Sequence, residues 1–332
     1  MVLLAGGTGG AKLARGMLDV VGPDELVVIA NTGDDIAIYG AHVSPDPDLV
    51  SFWLADEIDE RGWGIEGDTF AVMDALRGLG TKVWFNLGDR DLAWCLRRRE
   101  MEDEGLRPTE ALARLNEAIG VRARVLPMCD EPLRTWVRTD AGWRNFQRFM
   151  IRERAQGTVR EVAFSSEVQS DRIPDVAAGS ATQQRDEGPA GRLTAATPSA
   201  HPTPEVLAAL ATARAVIVGP SNPVISIWPI LSVLGGTLTG LGAPVVCVSP
   251  VVGGEIVKGP TAAFLAAYGQ PVSAAGVAAF YETVQPDLLD GIVADEPVTG
   301  MATLQIDTAM PDAGARVSVA EQTLAFAESL AR

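Results

Sequence analysis

The first twelve residues constrain this chain most. Met1-Val-Leu-Leu-Ala5 is a short apolar run that reads as a buried strand. Gly6-Gly-Thr-Gly-Gly10 follows, and helix-like sequence opens at Ala11. A strand that runs through glycines into a helix N-terminus is a phosphate cradle. Glycine lets backbone N–H groups approach an anion, and the helix dipole favours its charge. The loop is not a P-loop, because no Gly-Lys-Ser/Thr closes it, and it is not a clean Gly-x-Gly-x-x-Gly dinucleotide fingerprint. The competing reading is a tight packing turn without a ligand.

The rest of the chain repeats the same grammar. Leu26–Ala30 runs into Asn31-Thr-Gly-Asp-Asp35, Lys82–Phe85 into Asn86-Leu-Gly-Asp-Arg-Asp91, Ala215–Val218 into Gly219-Pro-Ser-Asn-Pro223, and Val245–Val248 into Ser249-Pro-Val-Val-Gly-Gly254. Helical patterns lie between most of them, as around Phe70–Leu79, Glu205–Ala213 and Thr261–Tyr268. Alternating strand and helix predicts an α/β fold with a mostly parallel sheet covered on both faces. Ligands bind beyond the carboxyl ends of such strands, so the polar turns are expected to converge on one crevice.

The middle departs from this pattern. Glu100–Arg124 has helical spacing, and Pro132–Arg154 reads as a hairpin turning at Thr139–Gly142. Residues 92–165 are expected to form an inserted α+β lobe over the crevice. Residues 1–91 and 205–332 would form the core, and 166–204 a flexible excursion. Ala320–Leu330 reads as a closing amphipathic helix.

Composition narrows the function. The 332 residues carry 27 Lys and Arg against 43 Asp and Glu, a net charge of −16, which argues against nucleic acid or anionic membranes as partners. Three cysteines without zinc or redox spacing, and no apolar run long enough to span a bilayer, fit a reduced cytoplasmic setting. With only His42 and His201, histidine-based metal or triad chemistry is disfavoured.

Chemistry therefore falls to carboxylates and loops. Asp34 and Asp35 follow a strand, and Asp46 and Asp48 lie in Ser44-Pro-Asp-Pro-Asp48. Oxygen ligands of this kind suit Mg²⁺ beside a phosphate loop, in a metal-assisted phosphoryl transfer. The plainer reading makes them helix caps and a surface turn. Arg90 in Leu87-Gly-Asp-Arg-Asp91 can fork onto phosphate, or form a local ion pair at a helix start. Ser221 and Asn222, held between Pro220 and Pro223, can hydrogen-bond a ligand from a rigid corner. Ser249, Gly253, Gly254 and Lys258 offer a weaker version of the same. Trp136, Trp143, Phe146 and Phe149 could stack a flat ring or fill the lobe's core.

In this order, Gly-Gly-Thr-Gly-Gly-Ala-Lys-Leu, Asn-Thr-Gly-Asp-Asp, Ser-Pro-Asp-x-Asp, Arg61-Gly-Trp-Gly-Ile-Glu-x-Asp-Thr-Phe70, Leu-Gly-Asp-Arg-Asp, Leu126-Pro-Met, Phe146-Gln147 and Gly-Pro-Ser-Asn-Pro-Val-x-Ser-Ile resemble the 2-phospho-L-lactate transferase family of coenzyme F-420 biosynthesis. The resemblance runs from Met1 to about Tyr281. It implies a Rossmann-like three-layer sandwich, usually dimeric, that requires Mg²⁺. The implied reaction moves a phosphorylated three-carbon acid (2-phospholactate, phosphoenolpyruvate or 3-phosphoglycerate) from a guanosine diphosphate-linked donor to the ribityl hydroxyl of the deazaflavin Fo. GMP leaves, and coenzyme F-420-0 or its dehydro form results. By motif, Asp34 and Asp48 are the catalytic and metal carboxylates, with Asp35 and Asp46 as further metal ligands. Gly6, Gly7, Thr8, Gly9, Gly10, Lys12, Ser221, Asn222 and Pro223 would hold the guanosine diphosphate part. Asp48, Asn86, Gly88, Asp89, Arg90 and Asp91 would face the deazaflavin or the transferred group.

Two other functions share these features. One is a nucleotide- or sugar-nucleotide-binding regulator without catalysis. The other is a guanylyltransferase that makes the activated donor and releases pyrophosphate. A dehydrogenase is disfavoured by the broken fingerprint.

Overall fold

The computed structural model describes residues 1–166, 199–256 and 259–331. Seven strands form the central sheet: β1 (Val2–Ala5), β2 (Val27–Ala30), β3 (Arg124–Pro127), β4 (Val216–Val218), β5 (Val245–Val248), β6 (Gly291–Ala294) and β7 (Ala302–Gln305). Their order is β7-β6-β5-β4-β1-β2-β3, and every pair is parallel. The chain winds outward from β1 in one direction, then restarts at β4 in the other. This is the doubly wound order, and it opens a crevice between the ends of β1 and β4.

The apolar runs make this sheet because both of its faces are covered. Leu3 and Ala5 point into a core with Leu13 and Met17 of the helix Gly7–Val21 and Leu324 of the helix Ala313–Ser329. Val2 and Leu4 point the other way, with Leu210 of Pro204–Ala211, Ile230 of Trp228–Leu234 and Phe280 of Ala274–Val284. Burying Leu3 and Leu4 completely contributes about 2 kcal/mol each. The result is the expected three-layer α/β sandwich.

Two expectations change. Lys82–Phe85 is not a strand; Lys82 is exposed and Val83 and Trp84 are half-buried, so the segment lacks the two covered faces an interior parallel strand needs. Within 92–165, residues 124–127 are β3 and pair with β2, so this stretch completes the main sheet before it departs from it. Strands β6 and β7, which carry no polar crevice turn that the sequence announced, extend the far edge.

The departure itself is a three-stranded antiparallel sheet of Arg134–Thr139, Gly142–Asn145 and Val159–Ser165, with a π-helical turn at Arg148–Arg152. It is fastened to the crevice, where the Thr135 N–H donates to the Gly33 carbonyl at 2.7 Å. Of the excursion expected at 166–204, residues 167–198 lie outside the described ones. The chain returns with Ala200 buried and the Thr203 hydroxyl accepting from the Val206 N–H at 3.2 Å, which caps the helix Pro204–Ala211.

Candidate active site

The glycines after β1 have packing reasons as well as chemical ones. A Cβ on Gly9 would run into the Pro220 carbonyl, and one on Gly10 into the Ser221 hydroxyl and Ala5. The loops after β1 and β4 therefore touch backbone to backbone. Gly7 has φ +63°, a left-handed conformation open to glycine. These contacts aim the N-terminus of the helix Gly7–Val21 into a cavity of about 510 Å³. No acidic side chain lies in that helix's first turn. The Gly6 N–H donates to Ser221 Oγ at 3.2 Å and the Gly7 N–H to Asp46 Oδ1 at 2.7 Å.

Gly6, Gly7, Thr8, Gly9, Lys12, Ser221 and Asn222 all line this cavity. Lys12 Nζ donates to the Met310 carbonyl at 3.1 Å. Asn222 Oδ1 accepts the Val224 and Ile225 N–H groups at 3.0 and 3.3 Å, whereas its Nδ2 is buried without an acceptor. Pro223 is buried in the corner that Asn222 caps, and Gly10 is buried behind the wall. Ser249 joins the lining; Lys258 lies outside the described residues.

The four aspartates separate into two pairs. Asp34 and Asp46 face this cavity. Asn31 orients their loop, its Nδ2 donating to Asp46 Oδ2 at 2.9 Å and its Oδ1 accepting the Gly33 N–H at 2.8 Å. Asp34 Oδ1 is buried with no partner. Burial, then the Asp46 charge, holds the Asp34 carboxyl well above the usual range, against a lowering hydrogen bond from Asn31. Burial likewise pushes Asp46 up to about 6, against hydrogen bonds from Asn31 and Gly7. Carboxylates that cling to protons for want of a counter-charge also favour a cation, and an all-oxygen set suits Mg²⁺. Asp34 and Asp46 fit that ion.

Asp35 and Asp48 are turned elsewhere. Asp35 accepts from Ser44 Oγ at 2.7 Å and meets His42 Nε2 at 3.0 Å, on a separate cavity of about 300 Å³. Asp48 is held by the buried Arg98 guanidinium on both oxygens and by Trp94 Nε1 at 2.8 Å.

Asp48 and Asp46 also line a second cavity, of about 450 Å³, walled by Phe52, Trp63, Phe70, Trp84, Phe85 and Ile151. Trp63 is 48% exposed and Ile151 40%, so its mouth is apolar. Asn86, Gly88 and Asp91 add polar groups to this wall. Asn86 Oδ1 accepts from Arg77 at 2.7 Å. Gly88 has no room for a Cβ against the Asp68 carboxylate, which receives the Arg90 and Asp91 N–H groups at 2.9 and 3.0 Å and so caps the helix Asp89–Asp103. Asp91 is pushed up to about 7 by burial, then by the charges of Asp48 and Asp68. Asp89 and Arg90 serve the scaffold. Asp89 takes the Ala71 and Val72 N–H groups at the start of the helix Ala71–Gly78, and Arg90 ties down Glu57 and the Glu66 carbonyl.

The aromatic wall escaped sequence reasoning as a wall, although Trp63 and Phe70 stood inside the Arg61–Phe70 motif. The aromatics singled out from sequence go elsewhere. Phe149 is core, Phe146 borders the first cavity, and Trp136 and Trp143 line a further cavity on the lobe. Gln147 of the Phe146-Gln147 motif donates from Nε2 to the Asp34 carbonyl at 3.0 Å and ties the lobe to the carboxylate loop.

Fold and site define a doubly wound α/β protein with its ligand crevice at the strand-order switch and buried carboxylates beside a helix N-terminus. The sequence matches the family described as 2-phospho-L-lactate transferase CofD over residues 1–321. It is 34% identical over 297 residues to the 2-phospho-L-lactate transferase of Methanosarcina mazei, covering 89% of this chain and 87% of that one. It is 36% identical over 352 aligned positions to the phosphoenolpyruvate transferase of Kitasatospora aureofaciens, covering 99% and 98%. A crystal structure of a UPF0052 family protein from Bacillus halodurans shares the fold with a TM-score of 0.60 over 97% of this chain and 98% of that one, at 15% identity. The chain belongs to the CofD family of 2-phospho-L-lactate transferases, enzymes of coenzyme F-420 biosynthesis. No helix among the described residues is long and apolar enough to cross a membrane.

Proposed function

We propose that the protein transfers a phosphorylated three-carbon acid from a guanosine diphosphate-linked donor to the ribityl hydroxyl of Fo, releasing GMP. The observation that carries this reading is the meeting of two unlike cavities at Asp46. One presents a helix N-terminus and hydrogen-bonding corners to a nucleotide diphosphate, and the other presents aromatic walls to a flat ring.

In this reading the donor's phosphates lie against the Thr8 and Gly9 N–H groups at the start of the helix, with Ser221 and Asn222 at the donor's far part. Asn222 Nδ2 gains the acceptor it lacks. The deazaflavin lies between Trp63, Phe70 and Trp84, with its ribityl chain toward Asp46. Asp34 and Asp46 hold Mg²⁺, which when bound neutralises charge on the donor's phosphate oxygens. The Fo hydroxyl attacks the phosphorus that bears the three-carbon acid. An O–P bond forms, the bond to the GMP oxygen breaks, and GMP carries away that electron pair. Asp91 takes the hydroxyl proton. It lines the acceptor cavity with an affinity near neutrality, whereas both oxygens of Asp48 are bound by Arg98. Most of the rate comes from holding the partners in line.

Relatives named for 2-phospho-L-lactate and for phosphoenolpyruvate support a small phosphorylated three-carbon acid as the transferred group. The test is chromatography of Fo incubated with Mg²⁺ and each guanosine-linked three-carbon donor. A more acidic deazaflavin with equimolar GMP is expected from one of them. No new deazaflavin from any donor, despite saturable guanine nucleotide binding, contradicts the reading.

A further inference from the structure

We propose that His42 is a positioning residue. As a fixed imidazolium bridging Asp35 and Glu102, it holds the Asp34 and Asp46 carboxylates at one metal-binding point. This rests on the magnesium reading above.

His42 Nε2 lies 3.0 Å from Asp35 Oδ2, and Nδ1 lies 2.7 Å from Glu102 Oε1. Ionised carboxylates only accept hydrogen bonds. Both contacts are therefore satisfied only when both ring nitrogens carry protons, which makes the ring a cation. The other Asp35 oxygen accepts from Ser44 Oγ at 2.7 Å. Between Asp35 and Ser44 the chain makes the hairpin Ile36–Ile38 and Ala41–Val43. Asp35 thus staples the two feet of that hairpin together. One foot continues directly from Asp34, and the other leads within two residues to Asp46.

The staple is gripped from outside by the helix Asp89–Asp103. Glu102 takes the His42 ring, and one turn earlier Arg98 Nη1 donates to the His42 carbonyl at 2.9 Å. Arg98 also binds Asp48, so His42 and Arg98 between them neutralise Asp35 and Asp48. Asp34 and Asp46 make no ion pair among the described residues. A neutral side chain at position 42 leaves the Asp35 carboxylate partly unpaired and frees the hairpin base. Groups that hydrogen-bond metal ligands directly typically hold about 10- to 100-fold of metal affinity; His42 acts one step further out, through the hairpin, so the lower end applies.

The chain has only two histidines, so protein labelled with ¹⁵N-histidine shows two ring systems. At pH 8 the signals that vanish in His42→Gln are expected to show protons on both nitrogens. A neutral His42 ring there overturns the proposal. Calorimetric titration of Mg²⁺ is expected to show about tenfold weaker binding in His42→Gln. His42→Arg, which keeps the cation, is expected to recover part of the loss, and Ser44→Ala is the milder variant if His42→Gln fails to fold. A simple loss of packing would lower Tm without the rescue by Arg. Equal Mg²⁺ affinity in wild type, His42→Gln and Ser44→Ala overturns this inference alone. No Mg²⁺ binding by wild type overturns it together with the metal reading.

Discussion

Asp34 and Asp46 contrast with Asp35 and Asp48. All four are buried, they alternate along the same short stretch of chain, and they carry the same chemistry. Asp35 and Asp48 receive cations from the protein, His42 and Arg98. Asp34 and Asp46 receive only neutral donors, and one Asp34 oxygen receives nothing. A fold can neutralise buried carboxylates when it chooses. Two left without counter-charge in a cavity support the proposal that their cation comes from solution.

The contrast breaks most visibly in turnover. Asp46→Asn or Asp34→Asn is expected to lower kcat by about 10³-fold or more while Fo binding, followed by its fluorescence, stays near wild type. The same variants should melt higher than metal-free wild type, because they remove repulsion. Equal losses of turnover and Fo binding would place these residues at the acceptor instead. Arg98→Met should do the reverse. It leaves Asp48 buried and unpaired, at a cost of about 3–5 kcal/mol read by urea unfolding. A well-folded Arg98→Met protein would break the comparison.

Asp91→Asn is expected to cost about 10²-fold in kcat and to remove the acid limb of the pH–rate profile near pH 7. If the limb survives, another group takes the hydroxyl proton.

The two pairs should also answer differently to pH. Raised carboxyl affinities mean that the folded protein holds protons the unfolded chain has released. Without metal, stability is therefore lost as pH rises from 3.8 through about 6, where Asp46 titrates, and Mg²⁺ should restore it. His42 has the opposite kind of partner. Burial alone would lower its affinity, but hydrogen bonds to Asp35 and Glu102 raise it to about 9. Its contribution is present below pH 6.5 and lost as pH rises through about 9, with or without Mg²⁺. Thermal melts across pH, with and without the ion, separate the two. The smallest effect belongs to the cavity rim, where Trp63→Ala should raise the KM for Fo about tenfold with kcat unchanged.

Sequence patterns reveal periodicity and local chemistry, and that is what could be read here. The apolar runs of β1, β2, β4 and β5 and their polar turns were legible because interior parallel strands are apolar throughout. Strands β6 and β7 were not, since Ala302–Gln305 is an edge strand of half-exposed residues and Gly291–Ala294 ends in no motif. That Gly6–Gly9 and Ser221-Asn222 line one cavity was legible from their loops. The division of the aspartates was not, because it depends on Arg98 and His42, whose reach across the hairpin no spacing rule encodes. Asp89 and Arg90 looked functional for the reason that makes them structural: a polar turn before a helix is both a site and a cap.

The most direct measurement is isothermal calorimetry of Mg²⁺ binding near pH 7 in buffers of different ionisation enthalpy. Binding of a single ion is expected, with release of protons, because Asp34 must give up the proton that burial makes it hold. It should disappear in Asp34→Asn and Asp46→Asn. Heat that is absent in wild type, or unchanged in both variants, would contradict the assignment of this pair as the metal site.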